Sequence, residues 1–406
     1  MSSSLSTFTL ALFTLGASPQ APASPGPLAT ATPSNAEAGL PKAETAPPGD
    51  EGNVEALTPD RADYLPSRSW AGGSLHYGGT DLKVRLHGFV ALEYLDSQAN
   101  GARAGVSTFD LHYANIFLST PIRKNLMTHI EVEFEHASEL VEIDQAFIAL
   151  KAKPWAEFTA GRFYAPFGIE RFVWYAPINQ LVSRPLALRD VVPGNFYTTG
   201  LKVGGLVGRG EHPAFTYEAA LSNGLGDAAA ANRRGSRQTQ DNNSAKAFSG
   251  RASYVRWPYF EAGASLHRER YATSTPSSLR FSGADLAARF QGVEIRAEYV
   301  RASLDRVTSA GAALAALRQN GYYVQASYTV IAPRDLLPAV TVVLRRDDVD
   351  MDRALLGADD RSGWTAGANL KVYEHLRLKA EYQWLADRGP TKRHDNSFFA
   401  QISADF

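Results

Sequence analysis

Leu376-Arg377-Leu378-Lys379-Ala380-Glu381-Tyr382-Gln383-Trp384 places an apolar residue at every second position and a charged or polar one between. A strand turns successive side chains to opposite faces, so this stretch has one oily face and one charged face. The pattern recurs on both sides of it. Tyr322, Val324, Ala326, Tyr328 and Val330 oppose Tyr323, Gln325, Ser327 and Thr329, and Val293, Ile295, Ala297 and Tyr299 oppose Glu294, Arg296 and Glu298. Further upstream, Leu126, Thr128, Ile130, Val132 and Phe134 oppose His129, Glu131, Glu133 and Glu135. Leu82, Val84, Leu86, Val90, Leu92 and Tyr94 oppose Lys83, Arg85, His87 and Glu93.

Each run is about ten residues long, the length a tilted strand needs to cross a bilayer. No stretch after Ala17 approaches the eighteen or so apolar residues of a membrane-spanning helix. A spanning structure must then be a closed sheet. The alternation predicts an all-β, transmembrane antiparallel barrel of sixteen strands, near 82–95, 107–119, 126–136, 140–151, 156–163, 196–207, 213–222, 246–257, 259–270, 279–290, 292–303, 321–331, 338–348, 362–373, 375–386 and 396–406. An even number suits a single-chain bacterial barrel. Short links such as Lys153-Pro154-Trp155 and Glu374-His375 read as turns at one end, and the polar stretches 227–244, 303–320 and 387–395 as loops at the other. Residues 308–320 read as a short helix, capped by Thr308 or Ser309.

Composition neither supports nor opposes a membrane location, because alternation keeps a spanning barrel near the hydropathy of soluble proteins. A net charge of −1 without a dense basic run argues against nucleic acid as a partner. Cysteine is absent, which removes disulfides, thiolate chemistry and Cys-based zinc sites. Residues 1–23 read as a signal peptide with its apolar core from Leu5 to Ala17, although no Lys or Arg precedes Lys42. Residues 24–80 belong to a Pro- and Ala-rich stretch expected to be a disordered linker, leaving 81–406 as the barrel domain.

The fifth of these strands stops at Gly161-Arg162-Phe163-Tyr164-Ala165-Pro166-Phe167-Gly168-Ile169-Glu170-Arg171, where Pro166 removes a ladder donor and Gly168 permits a sharp turn. About thirty residues follow, interrupted by Pro177, Pro185 and Pro193, and a connection this long is more often functional than idle. With the preceding run ending in Phe158 to Phe163, and with Thr198-Thr199-Gly200-Leu201-Lys202-Val203-Gly204-Gly205 and Leu221-Ser222-Asn223-Gly224 behind it, the stretch resembles the phosphate-selective porins O and P of bacterial outer membranes. The resemblance covers about 81–406. It implies that the segment after Phe163 folds into a pore, that the linker is periplasmic, and that the alternating final strand ending in Phe406 serves as an assembly signal.

Other motifs carry less. Gly224-Leu225-Gly226-Asp227-Ala228-Ala229 matches a dinucleotide fingerprint, but no amphipathic helix follows it. Ser265 and His267 share a strand face, as a hydrolase would need, yet no third member is evident. Glu131, Glu133 and Glu135 form a row that either binds a cation or faces Arg and Lys across the interior. Tyr94, Trp155, Trp174, Trp257, Tyr299, Trp364, Tyr373 and Trp384 suit interfacial girdles better than sugar platforms.

The resulting expectation is a passive outer-membrane channel for small hydrophilic solutes, with a mild anion preference, phosphate among the candidates. No catalytic residue, metal or cofactor is expected. Arg162, Arg171, Arg184 and Arg189 are expected at the constriction, outnumbering Glu170 and Asp190 there, with Lys83, Arg85, Arg251, Arg296, Arg345 and Arg377 on the wall. Partners would be outer-membrane lipid and anionic or polar solutes, and a homotrimer is compatible with this reading. A general or sugar-type diffusion channel, or a non-conducting barrel acting as adhesin or anchor, are the alternatives.

Overall fold

The computed structural model describes residues 71–77, 80–97, 105, 107–208, 213–230, 240–307, 312–330, 339–354, 360–388 and 396–406, with side chains from Val84 onward. The expected signal peptide, most of the expected linker and the side chain of Lys83 lie outside the described residues. Sixteen antiparallel strands close on themselves: β2 (Thr80–Ser97), β3 (Ser107–Arg123), β4 (Leu126–Glu135), β5 (Leu140–Lys153), β6 (Ala156–Tyr164), β7 (Tyr197–Val207), β8 (Ala214–Ser222), β9 (Ala247–Arg256), β10 (Phe260–Arg270), β11 (Ser278–Phe290), β12 (Val293–Val307), β13 (Ala313–Val330), β14 (Ala339–Asp350), β15 (Arg361–Tyr373), β16 (Leu376–Asp387) and β17 (Ser397–Asp405). Each pairs with the next, and β17 returns to β2 with Ala400 opposite Tyr94 and Ile402 opposite Leu92. Closure leaves no open edge, which a membrane requires.

Two features depart from expectation. A further strand, β1 (Ala71–Tyr77), lies within the stretch read as linker and pairs with the start of β2, Ala71 opposite Leu86. The helix expected at 308–320 is absent from its described part: 313–320 extends β13, with Leu317 opposite Leu304 and Asn320 opposite Arg301. Its alanines have high helix propensity, but pairing with β12 outweighs a preference of a few tenths of a kcal/mol per residue.

The pattern of exposure is the reverse of a soluble protein's. On β16, Leu378 and Trp384 are 40% and 48% exposed, whereas Lys379, Glu381 and Gln383 are 4% or less. Val324, Leu344 and Ile402 likewise face outward, and Gln325, Arg345 and Gln401 inward. An oily outer surface around a polar interior is the arrangement a bilayer stabilises. Turns of two residues, as at Lys124-Asn125, Pro154-Trp155 and Glu374-His375, join strands at one end, and the long connection 165–196 lies at the other.

Candidate pore constriction

β6 and β7 are joined by residues 165–196, which turn into the barrel instead of away from it. At the neck, Ala165 N–H donates to Phe196 O (2.8 Å). Gly168 follows with φ of +68°, a conformation that costs a residue with a Cβ, and its N–H donates to Ser265 Oγ across the barrel (3.0 Å). Phe167 then packs against Phe196 and Phe281, and a helical turn at Ala187–Val191 lies against β12, β13 and β14.

A backbone without ladder partners inside a barrel needs other partners for its N–H and C=O groups. Wall side chains supply them. Glu381 accepts from Val182 N–H (2.6 Å) and Ser183 N–H (3.0 Å), and Asp347 accepts from Leu186 N–H (2.9 Å). Arg345 donates to Ser183 O (2.8 Å) and to Asp347 (2.7 Å), while Lys379 donates to Ala176 O. Gln325 donates to Gln180 (3.0 Å), and Tyr323 to Glu170 (3.2 Å). Sequence alternation put these residues on the interior face but held no sign that their partners lie 145 or more positions away.

On the opposite wall, Glu131, Glu133 and Asp144 converge, all buried. Neutral donors meet them: Asn115 donates to Glu131 (3.1 Å) and Glu133 (2.9 Å), Gln145 to Glu131 (2.7 Å), Tyr175 to Glu131 (2.9 Å), and Tyr197 to Asp144. Burial, and then the Glu131 carboxylate, hold the Tyr175 phenol well above its ordinary range, so it remains a donor. Tyr197 stacks on Tyr164, which accepts from Trp174 Nε1 (2.6 Å), so an aromatic column ties the segment to β6 and β7.

The ten arginines and lysines singled out from sequence fall into distinct groups. Arg171 is ion-paired with Glu218, and Arg189 with Asp190 (3.2 Å). Arg251 lies between Asp285 (2.5 Å) and Glu261 (2.7 Å), and Arg296 beside Glu294 (2.7 Å). Arg345 is held as described. Arg85 is exposed, and Arg377 half-buried. Arg162 and Arg184 are different: their guanidinium carbons lie 5.4 Å and 5.3 Å from the ring centres of Tyr197 and Trp174, with no ion pair to either among the described residues. Arg184 also donates to Asn195. Ser265 and His267, meanwhile, do not meet as a catalytic pair, since Ser265 takes the Gly168 N–H and His267 faces Ser249 (2.7 Å).

A family model for phosphate-selective porins O and P matches residues 81–402. The chain belongs to that family. This porin is a passive channel of the bacterial outer membrane. Solved structures share its fold at low identity. An anion-selective porin from Comamonas acidovorans is 12% identical with a TM-score of 0.56, covering 80% of this chain and 99% of its own. The outer-membrane channel DcaP of Acinetobacter baumannii is 11% identical with a TM-score of 0.51, covering 82% and 100%. OmpF of Salmonella typhi, in complex with daunomycin, is 14% identical with a TM-score of 0.53, covering 82% and 100%. No curated protein sequence gave a match.

Proposed function

We propose that this porin admits small hydrophilic solutes with a mild preference for anions, set by Arg162 and Arg184 and not by the whole set of interior cations. The observation that carries this is the absence of a carboxylate partner for these two among the described residues, whereas Arg171, Arg189, Arg251, Arg296 and Arg345 are neutralised by acids. A guanidinium on an aromatic face keeps its N–H edge for another acceptor, and a passing phosphate or carboxylate matches that edge. Interior positive charge then raises local anion concentration without any chemical step. Solutes are transported unchanged, and Ser265 and His267 serve structure. A homotrimer is part of the proposal, since a structure of OmpT from Vibrio cholerae is described as a trimer form and shares this fold.

Replacing Arg162 and Arg184 together by Gln tests the reading. One unit charge is worth about 1 kcal/mol at 4 Å in water, or about fivefold in local ion concentration. The anion-to-cation permeability ratio from reversal potentials in a salt gradient should therefore fall severalfold. A wild-type channel that prefers cations, or an unchanged double variant, contradicts it. The carboxylates of Glu131, Glu133 and Asp144 favour the rival, a general diffusion channel with balanced charge, for which the wild-type ratio would be near one.

A further inference from the structure

At the end of the barrel that carries the longer loops, β3 starts at Ser107 and β4 finishes at Glu135, joined across the ladder by Tyr113 opposite Glu135. That pairing brings His136, in the turn after β4, over Asp110 and His112 near the start of β3. His112 Nδ1 lies 2.8 Å and His136 Nδ1 2.7 Å from the same atom, Asp110 Oδ2. The two imidazoles meet edge to face with ring centres 4.9 Å apart. Glu93 Oε2, on β2, lies 3.7 Å from His112 Nδ1. Residues 136, 138 and the one between them all take positive φ, from 51° to 78°, a conformation uncommon for side-chain-bearing residues.

We infer that Asp110, His112 and His136 form a binding site for a divalent transition-metal ion at the mouth of the channel, with Glu93 within reach as a fourth ligand. Two imidazole nitrogens and a carboxylate oxygen are the donor set that zinc and copper prefer, and magnesium or calcium does not. A tetrahedral zinc ion with bonds of about 2.0–2.1 Å sets its donors about 3.3 Å apart, so the two contacts to Asp110 lengthen by roughly half an ångström to admit one. His136 can supply that movement, because its side chain is 45% exposed on a four-residue turn. On binding, each Nδ1–H···Oδ2 hydrogen bond gives way to an Nδ1–metal bond, and the neutral ring carries its proton on Nε2. Asp110 and Glu93 supply the negative charge that balances the ion. Sequence spacing gave no hint, because His112 and His136 are brought together by strand pairing alone.

The ordinary alternative is a hydrogen-bonded clamp in which two histidines share one carboxylate. Calorimetric titration of the folded full-length porin in detergent with Zn²⁺, and separately with Mg²⁺, separates the two. The expected result is one Zn²⁺ per chain and no Mg²⁺ uptake. The double variant His112→Gln, His136→Gln should lose at least about tenfold in Zn²⁺ affinity, the smallest loss seen even for outer-shell partners of metal sites. A wild-type chain that takes up no Zn²⁺, or a folded double variant that binds it equally well, overturns the proposal. Independently of any variant, Cu²⁺ bound to the wild-type porin should show hyperfine coupling to two nitrogens in its electron paramagnetic resonance spectrum. A spectrum without nitrogen coupling, as an all-oxygen site gives, would equally overturn it.

Discussion

Val324 and Gln325 are neighbours with opposite fates, one 44% exposed on the outer surface and the other 4% exposed against the inward segment. The first meets lipid near mid-strand. Val324→Arg should therefore destabilise the porin by about 2–4 kcal/mol, the cost of a cation near the bilayer midplane, while Val324→Leu should be close to neutral. Denaturant unfolding in lipid vesicles measures both, and equal effects would mean that the faces are reversed. The faces were legible in the sequence because alternation records only which side a residue takes. What each interior residue does there was not. Arg171 and Arg184 read alike from sequence, yet Arg171 is consumed by Glu218 on β8 while Arg184 lies over Trp174, a distinction that depends on contacts between distant parts of the chain.

The segment 165–196 shows how an element can be signalled without its conformation being specified. Pro166 and Gly168 mark the end of β6, and the arginines mark the segment as unusual for a loop. Nothing local says that it folds inward, because its backbone is satisfied by Glu381, Asp347, Arg345 and Lys379, all more than 150 residues later. Asp347 has two duties, accepting from Leu186 N–H and pairing with Arg345. Asp347→Ala leaves a buried guanidinium without its acid, a change of the kind that costs about 3–5 kcal/mol. Its expected outcome is a loosened segment, read as faster proteolysis within 165–196 while the barrel remains folded. An unchanged cleavage rate would mean that the anchor is dispensable. β13 gave the opposite lesson: its alanines suggested a helix, and pairing with β12 extended the strand instead.

At the scale of the whole barrel, strand positions and closure were legible because sixteen alternating runs have no other way to hide their polar faces from lipid. The seam is held at its end by Gly88 and Phe406, which exchange backbone hydrogen bonds of 3.0 Å and 2.9 Å. A Cβ at Gly88 would stand 2.7 Å from the Phe406 ring. Gly88→Val should thus lower the yield of heat-modifiable, folded porin, and a normal yield would show that the seam tolerates crowding. The barrel is a passive channel narrowed by the segment held inside it. Single-channel conductance in planar bilayers, compared between the wild-type porin and a variant in which residues 169–192 are replaced by a short Gly-Ser link, tests this most directly. Discrete channels are expected in both, with a larger conductance in the variant; equal conductance, or a variant that folds yet passes no current, would show that the segment does not narrow the pore.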